Sequence, residues 1–171
     1  QADLGLAGAL LQSLPVPHTL RQQAARWQPA GLLQQLQLRW SAGSDQPSYQ
    51  ASGQLRQLQL QGQAAEQGVG TPGVQGLDVD FDLSEHGGSA QLRMRQGVLQ
   101  FPGVFEEPDI PLQRLQARLQ WTQRQGDWQL SVSDAEFANA DAQGRLQARW
   151  RTGPDADSFL PGILQLRGVL T

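Results

Sequence analysis

Few residues in this sequence have types and spacings that chemistry could use. Asp78, Asp80 and Asp82 form a D-x-D-x-D run. On a strand their carboxylates share one face, about 7 Å apart. Hard oxygen ligands suit Ca²⁺, but a Ca²⁺ site wraps a curved loop around the ion, whereas a strand spreads its ligands. The run reads as a solvated strand face with Arg93 and Arg95 on the neighbouring strand as partners. Glu106, Glu107 and Asp109 cluster in the 102–111 loop. Paired carboxylates could serve as the acid and base of a glycosidase. Nothing ranks one as the acid, and no sugar-stacking cluster lies nearby, so a polar loop pegged by Phe105 is the plainer reading. Residues 68–73 match G-x-G-x-x-G, yet Pro72 sits inside and neither the leading strand nor the following helix is present. Ser131, Ser133 and Ser158 lack a nucleophile-elbow pattern. His18 stands at a helix start, His86 in a Gly turn, and there is no Cys. No catalytic residue, metal site or cofactor is assigned.

The elements that would position any site fall into two zones. Residues 1–31 read helical. Asp3 caps a helix over 4–13, with Leu6, Leu10 and Leu14 near one face. Pro15 and Pro17 stop it. A second helix over 18–27 places Leu20, Ala24 and Trp27 together, and Pro29 and Gly31 end it. From Leu32 the period becomes two. Leu36, Leu38 and Trp40 alternate with Gln and Arg, as do Tyr49, Ala51, Gly53 and Leu55. The phase slips before Leu58 and Leu60, which predicts a bulge near Arg56 and Gln57. Leu77, Val79, Phe81 and Leu83 pair through a turn at 85–88 with Ala90, Leu92 and Met94, a hairpin. Leu99 and Phe101 follow. Further strands carry Leu115, Ala117, Leu119 and Trp121; Trp128, Leu130 and Val132; Leu146, Ala148 and Trp150; and Leu164 and Leu166. Residues 61–76 are expected to form a flexible loop. Three strands end in the same format, Leu36–Trp40, Ala117–Trp121 and Leu146–Trp150, a weak internal echo of a β-meander unit.

Eight or nine one-sided strands with short turns predict an antiparallel sheet with one wet and one dry face. The wet face is rich in Gln, about thirty in 171 residues, and all 13 basic residues are Arg. A net charge of −3 argues against a general nucleic-acid-binding surface. No segment approaches the roughly 18 apolar residues of a membrane span. The chain opens without Met and in mid-pattern, which reads as an internal piece of a longer protein. Two ten-residue helices cannot cover so wide a dry face. The sheet must fold on itself, meet more protein, or hold an apolar ligand. A closed core filled by its own side chains is the ordinary solution; composition alone does not separate it from an apolar groove.

The segment FPGVFEEPDIPLQRLQARLQW, ending at Trp121, resembles part of the YhdP family of AsmA-like, TamB-related bacterial envelope proteins. So do FANADAQGRLQARW, ending at Trp150, and the front stretches LPVPHTLR and PAGLLQQLQLRW. The resemblance runs in order along nearly the whole chain. It implies a segment of a periplasmic, inner-membrane-anchored, bridge-like protein that carries phospholipid towards the outer membrane along a twisted antiparallel β-groove. It implies neighbouring β-groove segments as partners, membrane contact only through regions outside this chain, no nucleic acid and no enzymatic role. On that reading the fold is mainly β, with a groove over 32–171 after the short helical segment 1–31. The groove is lined by Leu36, Leu38, Leu55, Leu77, Val79, Phe81, Leu92, Met94, Leu99, Phe101, Leu115, Leu119, Leu130, Val132, Leu146 and Leu164. Trp40, Trp121 and Trp150 stand at its rim, where an amphipathic ring is well placed. The competing expectations are a structural or interaction β-scaffold without lipid cargo, and a carbohydrate-modifying enzyme using Glu106, Glu107 or Asp109.

Overall fold

Alternation in the sequence becomes strand throughout the computed structural model, which describes residues 2–3, 29–41, 48–65, 70–124, 127–152 and 162–171. The strands are β1 (Ala2–Asp3), β2 (Ala30–Ser41), β3 (Ser48–Leu60), β4 (Gly73–Ser84), β5 (Gly87–Gln100), β6 (Asp109–Arg124), β7 (Asp127–Ala138), β8 (Gln143–Thr152) and β9 (Gly162–Leu170). Each pairs antiparallel with the next in sequence, and β1 and β9 are the two ends of the order. The sheet is therefore an open meander, not a closed barrel. The two expected helices, over 4–13 and 18–27, lie outside the described residues. Asp3, expected as a helix cap, pairs instead with Leu32, and Ala2 with Leu33. This two-residue strand satisfies part of the β2 edge. β2 already begins at Ala30, just inside the segment read as helical.

The bulge expected near Arg56 and Gln57 is present. The β3–β4 register shifts between Leu55 and Leu58, and Gln57 has φ of 52°. The same device recurs along the sheet. Gln35 in β2, Gln96 in β5 and Asp134 in β7 also have positive φ, as does Gly76 in β4. Register shifts accompany Gln35, Gly76 and Asp134. Strict period two would send one residue of each pair Leu33/Leu36, Leu55/Leu58, Val74/Leu77 and Val132/Ala135 to the wet face. The extra residue restores the phase, so both stay on the dry face. It also bends the strand and raises its twist, which curls an open sheet. This explains why β4 extends back to Gly73, inside the stretch read as a 61–76 loop. Val74 and Leu77 are three residues apart, so period two does not join them. Gln63 and Thr71 form a bridge across the connection.

The buried apolar residues are Leu58, Val74, Leu77, Val79, Ala90, Met94, Leu112, Ala117 and Ala135, all from β3 to β7. Leu55, Leu92, Leu99, Leu115 and Phe137 pack against this cluster. No polar or charged side chain among the described residues is buried. On the wet face, Asp80 bridges Arg56, at 2.7 Å, and Arg93. Arg93 and Arg95 are the partners expected for the Asp run. Arg93 holds, but Arg56 on the other flank takes the place of Arg95. The irregularity at Gly76 breaks the ladder there, and Arg95 stands opposite Arg114 instead.

Candidate functional site

Directly opposed residues in an antiparallel sheet share a face, so the register traces the dry face from strand to strand. One row runs Leu38, Ala51, Leu83, Gly88, Trp121, Leu130, Trp150, Leu164. The next carries Phe81, Ala90, Leu119, Val132, Ala148 and Leu166, with Leu36 beside Gly53 at its start. A third joins Leu55, Val79, Leu92 and Ala117, and continues on β7 and β8 as Ala135 and Leu146. A fourth joins Leu58, Leu77, Met94, Leu115, Phe137, Gly144 and Leu170. A last, shorter row holds Leu60, Val74, Leu99 and Ile110. These rows bring together every groove residue expected from the sequence except Phe101. Phe101 lies in the loop after β5, edge to face with Phe105 at 6.0 Å.

The bulges conceal part of this face from a period-two reading. Leu33, Leu58, Val74, Leu112 and Phe137 belong to it but fall out of step with the alternation. The signal that finds them is an i, i+3 apolar pair flanking Gln, Gly or Asp. Leu166 and Leu170 needed no bulge: they continue the alternation from Leu164.

Small residues fill the crowded positions. A Cβ on Gly53 would stand 2.9 Å from the Phe81 ring, and one on Gly88 would stand 2.6 Å from the Trp121 ring. Each of these glycines leaves room for the aromatic ring beside it. Trp121 and Trp150 occupy one row with Leu130 between them. Trp40, opposite Tyr49, and Trp128, near the start of β7, stand at the same end of the sheet. The Trp150 indole N–H is buried and has no acceptor among the described residues. Tryptophan thus marks one end of the strands, and the buried cluster around Met94 lies towards the other.

Exposure along the dry face is uneven. Met94 is 2% exposed, whereas Leu38 is 51% and Leu166 is 64% exposed. The unburied apolar surface is concentrated on β2 and β9.

The acidic groups do not converge. Glu106 and Glu107 are exposed, and Asp109 accepts a hydrogen bond from the Gln100 side chain at 3.0 Å. Asp78 accepts from the backbone N–H of Gln57 at 2.9 Å, which ties it to the bulge. Among the described residues, Glu85 is the carboxylate with a resolved shift. Its own backbone N–H and that of Tyr49, at 3.1 Å, hold it below the usual glutamate range, and neighbouring His86 adds to this. Among the described residues, no group of three His, Cys, Asp or Glu is placed to hold a metal ion. No described helix is long and apolar enough to cross a membrane. The arrangement offers an extended apolar surface with polar chemistry on its reverse.

Comparison with protein-family models matches the family described as YhdP protein over residues 1–171. No curated protein and no solved structure matches the chain.

Proposed function

The chain belongs to the YhdP family, a family of bacterial envelope proteins, and on that premise we propose that it is one segment of a bridge-like periplasmic lipid-transport protein. Its dry face carries phospholipid acyl chains between the inner and outer membranes. The observation that supports this is a continuous apolar face on a sheet that is not closed, with its flanks on β2 and β9 exposed. Acyl chains lie against the Leu rows while head groups stay in water at the open side. Each CH₂ kept from water contributes about 0.8 kcal/mol without a directional bond. Attraction of that kind holds a chain and still lets it slide. Neighbouring β-groove segments of the longer protein continue the path. No catalytic step is needed.

The test is organic extraction and mass spectrometry of the chain purified without detergent. Near-stoichiometric phospholipid is expected, and the L164D/L166D double variant should lose most of it while keeping its strand content by circular dichroism. A folded wild-type chain that carries no phospholipid, or a double variant that carries as much as wild type, overturns the proposal. The β9 edge favours a second reading, a β-scaffold that docks a partner strand. It predicts a lipid-free chain whose β9 amides become protected from exchange when the partner is added.

A further inference from the structure

The reverse side of the sheet holds a second feature. Between β6 and β9 the wet face forms a trough of about 710 Å³. We propose that this trough binds a phosphate ester through Arg149 and Arg151. The two arginines occupy successive outward positions of β8. Register places Ser131 and Gln165 on either side of Arg149, and Gln129 beside Arg151. Gln120 follows across from Ser131 on β6. Trp150, between the arginines, turns its side chain to the dry face.

The pair shares one trough and, among the described residues, lacks a carboxylate partner there, a lack that Arg39, Arg95, Arg114, Arg124 and Arg167 share elsewhere in the sheet. Arg56, Arg93, Arg118 and Arg145 each have a carboxylate within ion-pairing distance. Among the described residues, Arg149 and Arg151 have none, and no carboxylate lines the trough. Two uncompensated guanidiniums on one wall, in a chain of net charge −3, form a local positive site.

The geometry selects the anion. Alternate residues on a strand lie about 7 Å apart, so two long side chains can converge on one group between them. One guanidinium fork already satisfies both oxygens of a carboxylate. Two forks match the three terminal oxygens of a phosphate monoester, and can each take one of the two terminal oxygens of a diester. Gln amides and the Ser131 hydroxyl around them can donate to or accept from the alcohol portion of an ester. The trough has room for that portion. It opens on the face opposite the Leu rows, so the proposal does not rest on lipid transport. The ester can come from a soluble phosphorylated polyol or from a phospholipid head group.

The test is a titration of the arginine Nε–Hε NMR signals. The probes are inorganic phosphate, sn-glycerol 3-phosphate and short-chain dihexanoyl phosphatidylglycerol below its micelle concentration, each against sodium chloride at matched ionic strength. Saturable shifts at Arg149 and Arg151, with Arg145 unmoved, are expected. Binding of glycerol 3-phosphate alone identifies a soluble monoester, and binding of the lipid as well identifies head-group chemistry; both support the site. The R149Q/R151Q variant should lose at least about tenfold in affinity, given what hydrogen bonds to charged groups contribute. R145Q should lose nothing. No saturable shift with any probe overturns the proposal, as do equal shifts at Arg145 and Arg124, or affinity unchanged in the double variant. Both substitutions point to solvent, and the backbone amide spectrum reports whether the sheet persists. Should the variant unfold, the wild-type titration decides alone.

Discussion

The central strands β3 to β7 and the flanking strands β2 and β9 are written in one code, Leu alternating with Gln or Arg, and have opposite fates. Leu77 on β4 is 8% exposed and Leu164 on β9 is 63% exposed. A central strand has a neighbour on each side, and bulges on several of them bend the sheet around its dry face. Among the described residues, β9 has a neighbour on one side only, and β2 has the two-residue β1 on its second side. Burial in an open sheet is thus set by a strand's place in the order, not by its own pattern. The flanks keep apolar surface unburied, which is where a ligand or another strand finds purchase.

A charge placed in each region tests this contrast most severely. Met94→Asp buries a carboxylate with no partner and should cost about 4 kcal/mol or more, while Leu166→Asp should stay within about 0.5 kcal/mol. Urea denaturation of the two variants measures both. Equal losses would show that the flanks are as tightly packed as the centre.

A smaller effect is expected at Gly97. A Cβ there would stand 2.6 Å from the Met94 sulfur and also press on the Gln75 carbonyl. Gly97→Ala should destabilise by about 1–3 kcal/mol through overpacking. A neutral substitution would mean that the bulge region of β5 yields more easily than its burial suggests.

The smallest effect concerns the bulges themselves. Gln57 holds a left-handed conformation that costs an L-residue roughly 1–2 kcal/mol. Glycine removes that strain at some cost in unfolded-state entropy. Gln57→Gly should therefore stabilise the chain by up to about 1 kcal/mol. Gln35→Gly, on the flanking β2, should give less, because that strand is less firmly held. Thermal melts rank the two, and a larger gain on β2 would reverse the proposed order of rigidity.

Residue periodicity carried the strand assignment, the hairpin at Glu85 and His86, and the bulge at Gln57. Each is a local matter: side chains on a strand alternate, and a slip in the alternation is visible in the letters. The same locality hid Val74, Leu112 and Phe137, whose bulged neighbours put them out of step. It also gave Asp80 only half of its partners, because Arg56 lies on a strand 24 residues earlier in sequence and reaches it only through the register of β3 on β4. Which apolar residues are sealed and which remain open follows from strand order across the whole sheet. So does the clustering of Arg149 and Arg151 with Ser131, Gln129 and Gln165, drawn from three strands. The sequence by itself determined that one face is dry and the other wet, since that depends on alternation alone. Only the tertiary structure decided where the dry face is open and which charges on the wet face lack partners, because both depend on which strands lie side by side.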